Sequence, residues 1–304
     1  MGFKNTVRAL LNRLPYVRGL FEERENYRKN ALYPAGHYYS PIISVDEVRR
    51  NEAAIWKNEK LDGVPGIDLQ TEQQISLLSK FAAYYQEIPF PKQPDSAYRF
   101  YFENDWYTYS DAILLYSVIR QYKPKQIIEV GSGFSSALML DVNERFFNHT
   151  IQLTFIEPYT ARLNSLLKPT DRSSATLIER PIQSVPLETF DKLNAGDILF
   201  IDSSHVSKTG SDVNYILFDI LPRLKSGVLI HFHDVFYPFE YPKKWVYNGW
   251  NWNEDYLLRA FLMYNTAFEI RIFSHYLHLH HPDAYAALPL CRQEKGGCLW
   301  MEKK

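Results

Sequence analysis

From residue 126 onward, short apolar runs alternate with stretches of helical period. The runs at 126–130, 152–157, 175–180, 197–202 and 228–235 read as buried strands. Between them, 134–147, 160–167, 184–193 and 211–225 repeat their apolar positions at helical spacing. A strand–helix alternation of this kind predicts a parallel sheet covered by helices on both faces. A further helix is expected over 253–264, and the runs at 268–279 and 297–302 read as the last two strands. The fold class is therefore α/β, with a Rossmann-like sheet.

The first third of the chain has another texture. Val7, Leu10, Leu11 and Leu14 recur at helical spacing with Lys4, Arg8 and Arg13 between them, until Pro15 interrupts. A helix packed on its own domain, or on a second copy in a homodimer, is the expected form. The alternative is a weak contact of residues 1–21 with an anionic membrane surface. Residues 31–66 are rich in Pro, Gly and Tyr and read as an ordered loop, overlapped by a short helix over 46–60. A second helix follows over 69–85, then an irregular aromatic segment over 86–110. An amphipathic helix over 111–121, stopped at Lys123-Pro124, leads into the alternating region. The expected division is an extension over 1–110, forming a lid or dimer contact, and a core domain over 111–304.

The stretch Ile127-Ile128-Glu129-Val130-Gly131-Ser132-Gly133 organises the core: an apolar strand, two glycines, then a helix-forming run from Ser136. Strand, glycine turn and helix form the phosphate-cradle geometry of a nucleotide-binding unit. Gly131 permits a positive φ, and Gly133 permits close approach of a ligand to the backbone. The dinucleotide fingerprint asks for a third glycine, where this chain has Ser136.

Composition narrows the field. A net charge of −1 gives no electrostatic footprint for nucleic acid. Cys291 and Cys298 are the only cysteines, too few for a disulfide framework. No apolar run approaches a membrane span, and charges interrupt any leader-like N-terminus, so the expected location is cytoplasmic.

In an open α/β sheet, ligands bind beyond the carboxyl ends of the strands. Glu157 ends the second strand, where a carboxylate can accept from both hydroxyls of a ribose. Ile182 and Gln183 follow the third and could pack on adenine and bond its edge. Asp202, Ser203 and His205 follow the fourth; His233 and Asp234 end the fifth.

Glu-Val-Gly-Ser-Gly, Phe-Ile-Glu-Pro, Ile-Asp-Ser-Ser-His and Leu-Ile-His-Phe-His-Asp-Val occur in that order. This succession resembles the class I S-adenosylmethionine (SAM) dependent methyltransferases, in the small-molecule O-methyltransferase branch, similar to methyltransferase family 24. The resemblance implies a seven-stranded sheet with the last strand antiparallel, and SAM as cofactor. It also implies that Glu129, Gly131, Ser132 and Gly133 hold the methionine moiety, Glu157 the ribose, and Ile182 and Gln183 the adenine. Asp202 and Ser203 would lie beside the methyl donor, and the other partner would be a small-molecule acceptor: a sugar, glycan unit or natural product.

A hydroxyl acceptor must lose its proton, to a base or under the influence of a metal. His205 and His233 are the bases nearest in sequence to the strand ends, with Asp202 and Asp234 beside them. Metal-dependent relatives carry carboxylates at these strand ends. Here His233 stands in that set, so a divalent ion on Asp202, His233 and Asp234 is the alternative to a metal-free histidine base. Phe236, Tyr237, Phe239, Trp245, Trp250 and Trp252 offer aromatic faces for the acceptor. Two rival classes are an NAD-linked oxidoreductase, disfavoured by the absent third glycine, and a non-catalytic scaffold of the same fold.

Overall fold

The computed structural model describes residues 14–304. The expectations for Val7, Leu10 and Leu11, and most of the membrane-contact segment, lie outside the described residues. The chain forms two compact units. Among the described residues, no helix is long and apolar enough to cross a membrane.

The first unit comprises residues up to 57 together with 243–251. Its helix α1, Pro15–Asn30, begins at the proline and buries none of its residues. Proline suits a first turn because its missing N–H has no intrahelical partner there. The helix expected over 46–60 is instead broken at Asn51 into Val45–Arg50 and Glu52–Ile55, followed by a 3-10 turn. The returning segment is tied to it by Lys243, whose Nζ lies 2.5 Å from Glu52 Oε1.

The second unit comprises 58–242 and 252–304. The expected division at residue 110 falls inside it. Its helices α2 (Thr71–Tyr85) and α3 (Tyr109–Tyr122) precede the sheet. Every residue of α3 from Tyr109 to Ile119 is buried, so the helix is a core element rather than the amphipathic one that its pattern suggests. The sheet strands are β1 Gln126–Val130, β2 Gln152–Ile156, β3 Ala175–Ile178, β4 Ile198–Ile201, β5 Leu229–His233, β6 Phe268–Phe273 and β7 Cys298–Lys303. Their spatial order is β3-β2-β1-β4-β5-β7-β6. The first five are parallel, and β7 runs antiparallel between β5 and β6.

Central strands are covered on both faces, and they read accordingly as unbroken apolar runs: all residues of β4 and β5 are buried. Helices α4 (Phe134–Phe147) and α5 (Ala161–Leu166) follow β1 and β2, and α6 (Glu254–Leu262) precedes β6. The run expected as a strand over 268–279 turns helical halfway, at α7, Ser274–His280. The helices expected over 184–193 and 211–225 are largely 3-10 and π turns. Strand order reverses between β1 and β4, which opens a crevice at their carboxyl ends. A buried cluster ties the segment before α3 to α4 and to the chain after α5. The Arg99 guanidinium pairs with Asp141 at 2.7 Å and with Asp171 at 2.5 Å.

Candidate active site

The crevice is a cavity of about 320 Å³. It is lined by the glycine turn, by Glu157 and Arg162, by Asp202 to His205, by His233 and Asp234, and by Trp106, Tyr107 and Trp252. The turn is shaped by its first glycine. Gly131 has φ +76°, and a Cβ there would overlap the carbonyl oxygen of Asp202, at the exit of β4. Val130 O accepts from Asp202 N at 2.8 Å, and Ile156 O from Gly131 N at 3.0 Å. The turn is thus locked between β2 and β4. Gly133 differs: its backbone is extended, a conformation open to any residue, and it caps α4. The space where its side chain would stand is taken by Arg162, whose Cδ lies 3.2 Å from that position.

Glu129 does not line the cavity, contrary to the expectation that it holds the methionine moiety. Its side chain is fully buried and accepts from Ser135 Oγ at 2.5 Å and from Ser136 Oγ. Burial pushes this carboxyl up to about 8, against the pull of the two hydroxyls. It fastens the start of α4 to β1. Glu157 does line the cavity, and its two oxygens accept from Ser132 N at 3.1 Å and Tyr159 N at 2.6 Å. Each carboxylate oxygen keeps a second lone pair for a ligand hydroxyl. Ile182 and Gln183 are not among the lining residues. Ile182 is packed in the core, and Gln183 Nε2 donates to the Gly210 carbonyl at 2.8 Å.

At one end, three side chains converge from two loops, Asp202 and His205 from the exit of β4 and Asp234 from the exit of β5. His205 Nε2 lies 3.3 Å from Asp202 Oδ1 and 3.7 Å from Asp234 Oδ2. Behind it, His205 Nδ1 meets Glu254 Oε2 at 3.0 Å, and Ser203 Oγ donates to Glu254 Oε1 at 2.9 Å. The ring lies on Trp252, centroids 4.2 Å apart. His205 and Asp234 both have φ +57°, a left-handed conformation uncommon outside glycine and held here by the surrounding bonds. Burial disfavours a charged His205, yet Asp202 and Glu254 outweigh it and hold the ring well above its ordinary range. Asp202 is pushed up by burial but ends below its ordinary value, because His205 and His233 stabilise its charge. Burial leaves Asp234 raised.

One ligand atom from each of Asp202, His205 and Asp234 lies within 4.8 Å of the others, so this trio could hold a metal ion. His205, not the expected His233, completes the set. His233 lines the cavity beside Tyr107, with ring centroids 5.1 Å apart, and its buried Nδ1 has no hydrogen-bond partner. Of the expected acceptor aromatics in this unit, only Trp252 lines the cavity; Phe236, Tyr237 and Phe239 are buried. Trp245 and Trp250 belong to the other unit, where their rings lie 4.7 Å apart. Glu254, Trp106 and Arg162 were not singled out from the sequence. None follows a sheet strand directly, and only the glycine and strand-end signals are readable without contacts.

Residues 128–235 match the family model of a methyltransferase domain, methyltransferase family 24. An uncharacterized protein of Archaeoglobus fulgidus is 35% identical over 186 residues, which span 59% of this chain and 82% of that protein. Among solved structures, a SAH-bound Podospora anserina methyltransferase is 15% identical, with a TM-score of 0.40 over 85% of this chain and 96% of that one. The O-methyltransferase TomG of Streptomyces achromogenes, solved with SAM, is 14% identical, with a TM-score of 0.40 over 84% and 97% of the two chains.

Proposed function

Given that the chain belongs to the class I SAM-dependent methyltransferases, we propose that it transfers the methyl group of SAM to a hydroxyl oxygen of a small-molecule acceptor. One observation carries the choice of oxygen. The corner formed by Asp202, His205 and Asp234 opens on the same cavity as the glycine turn. A hydroxyl is a poor nucleophile until its proton is lost, and this corner is where that proton can be managed.

The donor set supports a divalent metal there. His205 Nδ1 is engaged by Glu254, which orients Nε2 toward the two aspartates. A carboxylate behind the distal nitrogen is the usual support of a metal-ligating histidine. Asp202, His205 and Asp234 would hold the ion, and one imidazole with two carboxylates suits manganese, iron or zinc better than magnesium. When bound, such an ion lowers the pKa of a coordinated hydroxyl. The chain's own residues do the rest. Gly131 and Ser132 shape the floor, Glu157 offers its free lone pairs to the ribose, and Trp252 keeps His205 in place. In the metal-free protein Asp202 and Glu254 favour the protonated form of His205, and a protonated ring has no lone pair to accept a proton. That argues against its expected role as a free base.

A metal-free reading keeps one point in its favour, the unpartnered Nδ1 of His233. Methyl transfer from labelled SAM to a panel of sugar and phenolic hydroxyls, with and without a strong chelator, separates the readings. Loss of turnover on chelation, restored by one divalent ion, supports the metal. Turnover indifferent to chelator and abolished in His233→Ala supports the histidine. Methylation confined to amines or thiols overturns the oxygen acceptor.

A further inference from the structure

Arg162 is the only lysine or arginine among the residues lining the cavity. Its neighbours there are Glu157, Asp202 and Asp234, yet its guanidinium makes neither an ion pair nor a hydrogen bond with any described residue. What it does is stack. The guanidinium carbon lies 3.5 Å from the centre of the Trp106 ring. Trp106 itself is 58% exposed, a large apolar surface left at the rim. The stem of Arg162 runs across Gly133, the second glycine of the turn, with Cδ at 3.2 Å from where a side chain would begin. The turn therefore has a floor of backbone and, over one side, a cationic head parked on an aromatic face.

An arginine in such a place is a recognition group in want of an anion. Its five donors are arranged in a fork that fits a carboxylate with two parallel bonds. The cofactor brings one carboxylate, at the end of its methionine tail; its other charged groups, the sulfonium and the ammonium, are positive and suit the aspartates. We propose that Arg162 leaves or tilts on Trp106 to bind the cofactor's tail carboxylate, and that the pair closes over the glycine turn when it does. This assignment rests on the reading of the chain as a SAM enzyme. It adds a residue that belongs to none of the strand-end motifs, placed on the first turn of α5, five positions beyond Glu157.

The charge and the shape of Arg162 can be separated by ligands that differ only in the tail. S-adenosylhomocysteine carries the carboxylate, and 5′-methylthioadenosine has the same adenosine and sulfur without it. Calorimetry on the wild-type protein and on Arg162→Gln, which keeps most of the stem and removes the charge, gives the contrast. The expected result is a loss of about 10- to 100-fold in S-adenosylhomocysteine affinity, the scale of a hydrogen bond to a charged group. Methylthioadenosine binding should change by less than about twofold. Trp106→Ala should weaken both ligands equally or leave both alone, because it removes the resting place and not the charge. An equal loss for both ligands in Arg162→Gln would move Arg162 to the adenosine end and overturn the assignment, as would unchanged S-adenosylhomocysteine affinity. Wild-type protein that is folded and binds neither ligand would strike at the cofactor reading itself.

Discussion

Replacing Glu129 by Gln should make the protein more stable as pH rises, relative to wild type. Glu129 is fully buried, bonded to Ser135 and Ser136, and lifted from 4.5 to about 8 by loss of solvation. Below pH 4.5 the carboxyl is protonated in the folded and unfolded chains alike, and the side chain contributes no pH dependence. Between 4.5 and about 8 the unfolded chain ionises while the folded one keeps its proton, so stability falls as pH rises. Above about 8 both are ionised, and the folded state bears the full cost of a buried charge. At ~1.4 kcal/mol per pH unit, that cost reaches up to about 5 kcal/mol. Gln has the same shape, can accept from one serine and donate to the other, and does not ionise. Urea unfolding of both proteins without ligand, at several pH values from 5 to 9, reads the effect. The stability difference in favour of Gln should widen by up to about 1.4 kcal/mol per pH unit through the window, then level off. Parallel pH profiles for the two proteins would refute the reasoning and mean that Glu129 is ionised in the fold at neutral pH.

Two further outcomes follow from the same turn. Gly131→Ala should destabilise the fold by about 3 kcal/mol or more, because a positive φ costs an L-residue about 1–2 kcal/mol and the methyl group overlaps a backbone oxygen that cannot move aside; a melting temperature within a degree of wild type would contradict it. Glu157→Ala should weaken S-adenosylhomocysteine by about 1.5–3 kcal/mol, roughly 10- to 150-fold by calorimetry, and an unchanged affinity would leave the carboxylate with only its backbone bonds to Ser132 and Tyr159.

The central architecture was legible because its signals are local. An unbroken apolar run such as Ile198–Ile201 has few options other than a strand buried on both faces. Gly131 announces a turn that only a residue without Cβ can make. Even so, locality misleads where neighbours decide. The run after Phe273 has strand composition, yet it folds as α7, and α3 carries polar residues such as Asp111 and Ser117 that the fold buries. Secondary structure at these places is set by what packs against the segment, not by its own pattern.

The site shows the same division. That Asp202, His205, His233 and Asp234 stand at adjacent strand ends follows from the order of motifs along the chain. Which of the two histidines joins the aspartates does not. Glu254 lies 49 residues beyond His205, and its bond to Nδ1 turns the other nitrogen toward Asp202 and Asp234. His233 is held instead beside Tyr107, and Glu129 faces two serines rather than a ligand. The sequence by itself determined which residues reach the carboxyl edge of the sheet, because strand alternation and a glycine turn are encoded within a few positions. Only the tertiary structure decided how they are paired, because a hydrogen bond between a loop and a helix start so far apart in the chain exists only once the core has brought them within 3.0 Å of one another.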